Sequence, residues 1–176
     1  GKREAAYIGE NFQIGQSRII LEPRTLAKLL DALDIHKDEL VLDIGSGLGY
    51  SSAIISLIAE VVIAVEDDSS LVSEAEEILS EIGVDNVVVQ IGKLEDGAPE
   101  HGPYDVIILQ GGVGEIPGSI LNQLKNGGRI GAIFVEEGLG TAKIGFKLNN
   151  KITWRYSFNA AAPILSGFSK QKDFIL

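Results

Sequence analysis

The chain has 176 residues, 45% of them hydrophobic, with a formal net charge of −10 and 25 Asp and Glu against 15 Lys and Arg. That length suits one domain with a substantial core, and scattered cations with a pI near 4.6 argue against nucleic-acid binding, which needs clustered Lys and Arg. Cys is absent, which excludes disulfides, thiol catalysis and thiolate metal sites and suits a cytoplasmic location. No apolar stretch approaches the roughly 18–20 residues of a membrane span, and no basic start followed by an apolar run marks a secretory signal. Met is also absent and the chain opens at Gly1-Lys2-Arg3, so loss or processing of an N-terminal piece is expected.

In chain order, Leu26, Leu29, Leu30 and Leu33 share one helical face over Ala27–Leu33, and Pro23 marks where that helix begins, since its missing N–H costs nothing in a first turn. Glu39–Ile44 reads as a strand, Ser51–Ala59 as a helix and Val61–Val65 as a second strand. Ser69–Ile82 is a helix opened by the Ser69/Ser70 region and closed by Gly83. Asn86–Ile91 and Tyr104–Leu109 follow as strands, the latter apolar on both faces as a central parallel strand requires. Pro117–Leu124 reads as a short helix ended by Asn126-Gly127-Gly128, and Arg129–Val135 as a fifth strand. Lys143–Leu148 and Ile152–Phe158 form strands around Asn149-Asn150-Lys151, and Lys172–Leu176 could add a last one. Repeated strand–helix units followed by an antiparallel pair describe an α/β fold with a mostly parallel sheet.

The chemistry concentrates between residues 41 and 66. Val41-Leu42-Asp43-Ile44 runs into Gly45-Ser46-Gly47-Leu48-Gly49, and the next strand, Val61–Val65, ends on Glu66. Glycines let the main chain press against a ligand, and a carboxylate one strand over can accept hydrogen bonds from ribose hydroxyls. The dinucleotide fingerprint G-x-G-x-x-G would put its third glycine at Tyr50, so an NAD-dependent dehydrogenase is disfavoured; a P-loop is excluded because no Gly-Lys-Ser/Thr follows. Asp43 ahead of the glycines can hold an amino group or an ordered water, which favours a cofactor with an amino-acid end over a pyrophosphate.

The loop with Glu66 resembles the class I S-adenosylmethionine-dependent methyltransferases. Further blocks, namely Arg18–Leu30, Asp85–Gly92, Pro103–Leu109, Glu115–Gly128 and Ala160–Phe168, resemble the protein-L-isoaspartate O-methyltransferase family; Pro-Tyr-Asp-Val-Ile, Glu-Ile-Pro and Leu-x-Gln-Leu-Lys-x-Gly-Gly-Arg are especially specific. The resemblance implies a Rossmann-like class I methyltransferase fold, with a seven-stranded, mostly parallel sheet, helices on both faces and an antiparallel C-terminal strand pair. It also implies that residues 1–38 pack over the cofactor cleft and 39–176 form the cofactor-binding domain. S-adenosyl-L-methionine would be the cofactor and S-adenosyl-L-homocysteine the product. Asp43, Gly45, Ser46, Gly47 and Gly49 would line its methionine end and Glu66 would bind the ribose. Asp67 would lie beside the adenosine, Gly92, Lys93 and Leu94 near the adenine, and Gln110 would face the cleft. No metal is expected, and the acceptor would be a peptide, protein or small carboxylate.

Three positions depart from the family pattern. Leu21 stands where the family carries a Ser near the transfer centre, so the catalytic residue is unassigned, and the adjacent Glu22 would repel a carboxylate if it faced the cleft. Lys93 replaces the acid expected to meet the adenine amino group, leaving main-chain groups of Lys93 and Leu94 to serve. Gln110-Gly111-Gly112-Val113-Gly114 replaces a Thr/Ala-rich segment and reads as a loop or lid. A second reading follows from Leu21 and Lys93: a cofactor-binding domain that has lost isoaspartyl activity and serves another substrate or a regulatory role. His36 and His101 read as solvated, and Trp154 and Tyr156 as packing on one sheet face.

Overall fold

A computed structural model describes residues 11–15 and 18–171. The chain begins with a short antiparallel pair, β1 (Phe12–Gly15) and β2 (Arg18–Ile20), followed by helix α1 (Pro23–Leu33). Strands and helices then alternate: β3 (Leu40–Ile44), α2 (Tyr50–Ser56), β4 (Val61–Glu66), α3 (Ser69–Glu81) and β5 (Val87–Ile91). After two single 3₁₀ turns come β6 (Tyr104–Val113), the four-residue α4 (Gly118–Leu121), β7 (Leu124–Glu136), β8 (Leu139–Leu148) and β9 (Lys151–Asn159).

Seven strands form one sheet in the order β5-β4-β3-β6-β7-β8-β9; β3 to β7 run parallel, and β8 and β9 are antiparallel. The alternation of side chains along each strand divides the core in two. Val41, Val62, Val106 and Ile108 point to the face covered by α1 and α2 through Leu26, Leu29, Leu33 and Ile55. Leu42, Ile44, Ile63, Val65, Ile107 and Leu109 point to the other face, where Leu94, Ile120 and Phe168 cover them. Helices on both faces and the antiparallel strand pair agree with the expected class.

The chain leaves β3 toward β4 and β5, then returns across the sheet to β6. A crevice therefore opens beyond the carboxyl ends of β3 and β6, which is where open parallel sheets bind ligands.

Several boundaries differ from the sequence reading. Helix 117–124 contracts to Gly118–Leu121, because Leu124 already pairs with Tyr104 at the start of β7. Carbonyls of Leu121 and Leu124 both accept from the buried Lys147 ammonium at 2.8 Å, which gives the short helix its cap. The N-cap of α3 is Asp68, not Ser69 or Ser70; its carboxylate accepts from the Ser70 and Leu71 amides at 2.9 and 3.3 Å. The β8–β9 turn is Asn149-Asn150, both at positive φ as a tight hairpin demands. Trp154 packs edge-on against Phe134 at 4.8 Å, with Gly145 opposite it leaving room, whereas Tyr156 is 64% exposed and does not share that packing. Lys172–Leu176 lies outside the described residues.

Arg129 ties the far end of α1 to the sheet. It donates to both Glu39 oxygens at 2.6 and 2.8 Å and to the Leu33 and Asp34 carbonyls at 2.9 and 2.7 Å, closing the last turn of the helix. Those hydrogen bonds hold the Glu39 carboxyl below its ordinary value of 4.5. A depressed carboxylate stabilises the fold fully above the unfolded pKa and ceases to do so as pH falls through the folded one. Glu39→Gln is therefore expected to cost roughly 1–3 kcal/mol at neutral pH and to flatten the acid limb of stability below the ordinary glutamate range, measured by urea unfolding as a function of pH.

Candidate functional site

The glycine loop leaves β3 and turns at once into α2. Gly45, Gly47 and Gly49 have φ of +79°, +58° and +88°, a region that side chains with a Cβ adopt only under strain. A Cβ on Gly49 would sit 3.3 Å from that of Ala75, so this glycine lets α3 pack against the start of α2. Gly45 and Gly47 instead turn their backbones toward the crevice.

Asp43 lies beneath this turn with no solvent exposure. One carboxylate oxygen accepts from the Ser51 and Ser52 hydroxyls at 2.6 Å each, and the other accepts from the Gln110 amide at 2.9 Å. Burial pushes its carboxyl above the ordinary aspartate value, and the three hydrogen bonds restrain that rise. The carboxylate thus fixes the start of α2 and aims Gln110 at the end of the crevice.

Glu66 ends β4 on the opposite side of the loop and is also fully buried. Its Oε1 accepts from the Gly47 amide at 2.8 Å, and its Oε2 accepts from the Asp67 and Asp68 amides at 2.8 and 3.0 Å. Arg18, from β2, completes the arrangement. Its Nη1 donates to Glu66 Oε2 at 2.8 Å and to Asp67 Oδ1 at 3.1 Å, and its Nη2 pairs with Glu66 Oε1. Burial alone would raise the Glu66 carboxyl, but the hydrogen bonds and charge of Arg18 with the backbone donors bring it below its ordinary value.

A narrow cleft, with a volume of about 20 Å³, adjoins the loop. Ile19, Leu21 and Leu26 form an apolar wall, and Gly45, Ser46 and Gln110 a polar one. The Ser46 hydroxyl is buried and has no hydrogen-bond partner among the described residues, so a polar group entering here would satisfy it. Leu21 is 3% exposed, whereas Glu22 is outside the cleft lining and caps nothing with its side chain. The repulsion expected of Glu22 therefore has no basis at this position.

Of the other residues singled out, Gly92 follows β5 and its amide donates to the Glu66 carbonyl at 3.0 Å. The Leu94 side chain is part of the core, so only its main chain is available to a ligand; Lys93 precedes it as the N-cap of a 3₁₀ turn. His36 and His101 are exposed. Among the described residues no group of three or more His, Cys, Asp or Glu is placed to hold a metal.

The segment after Gln110 is not a lid. Residues 110–113 continue β6, and Gly112 bridges to Ile164, its amide donating to the Pro163 carbonyl at 2.7 Å. A Cβ on Gly111 would fall 2.6 Å from Leu165, and one on Gly112 would fall 2.7 Å from the Ala162 carbonyl oxygen. These glycines admit the returning chain. Sequence reasoning missed this and also missed Arg18, whose only visible signal was a lone cation at the head of the short apolar run Ile19-Ile20-Leu21.

The chain is similar to known proteins in sequence and in fold. The family model for protein-L-isoaspartate (D-aspartate) O-methyltransferase matches residues 1–151. A protein-L-isoaspartate O-methyltransferase of Syntrophus aciditrophicus is 37% identical over 127 residues, covering 72% of this chain and 58% of that protein. One from Nitrosospira multiformis is 37% identical over 71% of this chain and 53% of its own length. The chain thus spans little more than half the length of these relatives.

A solved protein-L-isoaspartate O-methyltransferase superposes with a TM-score of 0.81 at 26% identity, covering 89% of this chain and 51% of its own. A Plasmodium falciparum structure described as a candidate member of the same class, in complex with S-adenosyl-L-homocysteine, gives 0.79 at 21% identity, over 91% of this chain and 81% of its own. The latter likeness concerns the fold alone. Among the described residues no helix is long and apolar enough to cross a membrane. From the family match and the identity to its relatives, the chain belongs to the protein-L-isoaspartate (D-aspartate) O-methyltransferase family.

Proposed function

We propose that this chain is an S-adenosyl-L-methionine-dependent methyltransferase that esterifies a carboxylate, with the isoaspartyl carboxylate of a peptide or protein as its acceptor. One observation carries the reading: the Gly47 amide donates to Glu66 at 2.8 Å, so the loop suited to an amino-acid end and the carboxylate suited to a ribose diol are in direct contact. The residues fit the cofactor, given the positive-φ glycines and the unpartnered Ser46 hydroxyl.

When bound, the cofactor supplies a methyl group already activated on a sulfonium. Gly45 and Gly47 would take its amino-acid half against their backbones, and Glu66 would accept the ribose hydroxyls. Asp67 and the main chain at Gly92, Lys93 and Leu94 would border the nucleoside. Asp43 positions Gln110 at the mouth of the acceptor space. Ile19 and Leu21 exclude water there. A carboxylate acceptor is nucleophilic without a base, so the chain's task is proximity and orientation, and Leu21 leaves acceptor recognition to groups other than a hydroxyl at that position. The cysteine-free composition suits a reducing compartment such as the cytoplasm.

Incubation with methyl-labelled S-adenosyl-L-methionine and an isoaspartyl peptide is expected to yield a base-labile methyl ester, absent with the aspartyl isomer. Binding of the cofactor without ester formation on either peptide would contradict the assigned acceptor.

A further inference from the structure

The ribose-binding carboxylate assigned above is already engaged by the chain itself. Arg18 makes a two-pronged ion pair with both oxygens of Glu66 and adds a third contact to Asp67. Its guanidinium lies over the loop, with Nη2 only 3.4 Å from where a Gly45 Cβ would stand. Ile14 of β1 reaches closer still to Gly47, 2.8 Å from its Cβ position. The strand pair β1–β2 thus lays a cation and an apolar side chain over the two glycines whose backbones the cofactor would need.

Three features separate Arg18 from the groups that build the carboxylate's seat. The amides of Gly47, Asp67 and Asp68 already hold Glu66 from its own side of the cleft, and would continue to do so without Arg18. The Arg18 Nε is buried with no hydrogen-bond partner among the described residues, so the pairing leaves one donor unmet. The neighbouring Ser46 hydroxyl is unmet as well. Release of Arg18 would free its Nε to meet water, and a polar group entering beside Ser46 would satisfy that hydroxyl.

We propose that Arg18 is an autoinhibitory latch: its guanidinium occupies the place of the ribose diol on Glu66, and the cofactor binds only when this ion pair opens and β2 withdraws from the glycine loop. The proposal rests on the cofactor reading given above. A competing internal occupant lowers apparent affinity by the fraction of molecules in which it is displaced. Removing the occupant should therefore tighten binding, whereas removing a residue that builds the site would weaken it.

The test is calorimetric titration of S-adenosyl-L-homocysteine into the wild-type chain, Arg18→Ala and Arg18→Gln, with thermal melts confirming that each variant is folded. Gln keeps much of the volume and one donor, which guards against loss of fold in the Ala variant. Both variants are expected to bind at least tenfold more tightly than wild type. In the wild-type chain, the Arg18 guanidinium NMR signals should pass from restrained to freely rotating on addition of the ligand. Binding by all three proteins with equal or weaker affinity in the variants would overturn the latch and leave the cofactor reading intact. Absence of binding by all three would overturn the cofactor reading and the latch with it.

Discussion

Glu66→Ala is expected to abolish measurable binding of S-adenosyl-L-homocysteine and to lower stability by roughly 3–5 kcal/mol, the cost of removing one partner from a buried ion pair. The carboxylate gathers five donors: the amides of Gly47, Asp67 and Asp68 and two nitrogens of Arg18. Without it, the amides lose their acceptor in a buried setting and the guanidinium loses its buried charge partner, keeping only Asp67. For a chain of this size the melting temperature should fall by roughly 10 °C. Loss of two charge-assisted hydrogen bonds to a ribose diol corresponds to about a hundredfold or more in affinity. Glu66→Gln, which keeps one acceptor oxygen, should fall between the two on both readouts. Isothermal titration and a thermal melt on the same preparations check this; a variant with lowered stability and undiminished affinity would remove Glu66 from the binding site.

Asp43→Ala has the second largest expected effect and works from beneath the loop. Two serine hydroxyls and the Gln110 amide lose their acceptor where water cannot replace it, at a cost of roughly 3 kcal/mol or more. Asp43→Asn should be much milder, since an amide oxygen still accepts from Gln110 and its NH₂ can donate to hydroxyls that reverse their rotors. The sign of the pH effect follows from burial raising this carboxyl above its ordinary value of 3.8. The folded chain holds the proton more tightly than the unfolded one, so this group's contribution to stability is greatest at acid pH and declines as pH rises through the folded value. Asp43→Asn should remove that decline, and urea unfolding of the three proteins across pH measures it. Equal losses in Ala and Asn would show that charge, and not the hydrogen-bond set, is what the loop requires.

Much of the fold was legible because its strands are apolar runs and its helices carry one apolar face. Val61–Val65 and Tyr104–Leu109 are strands in any register, and Leu26, Leu29 and Leu33 admit one helical face. The loop and Glu66 were legible for a chemical reason: three glycines at alternate positions between a strand and a helix have little other use. What escaped detection depends on contacts distant in sequence. Continuation of β6 through Gly112 needs Ile164, more than fifty residues later, and nothing in Gly-Gly-Val-Gly by itself indicates a buried strand. The early end of α4 needs Leu124 to pair with Tyr104. Strands β1 and β2 are too short for a period to appear, and Arg18 acquires meaning only from Glu66, 48 residues on. The partners of Asp43, namely Ser51, Ser52 and Gln110, become visible only once the turn is built.

The family match accounts for the shared frame. Leu21 lines the cleft, Lys93 starts the turn beyond β5, and Arg18 sits on Glu66. The core beneath them keeps the pattern of an open parallel sheet.

The most direct measurement is a crystal structure of the chain with S-adenosyl-L-homocysteine. The account predicts both ribose hydroxyls on the Glu66 carboxylate, the homocysteine end against Gly45 and Gly47, and the Gly47 amide still donating to Glu66. An adenosyl group bound elsewhere, with Glu66 remote from its ribose, would contradict it.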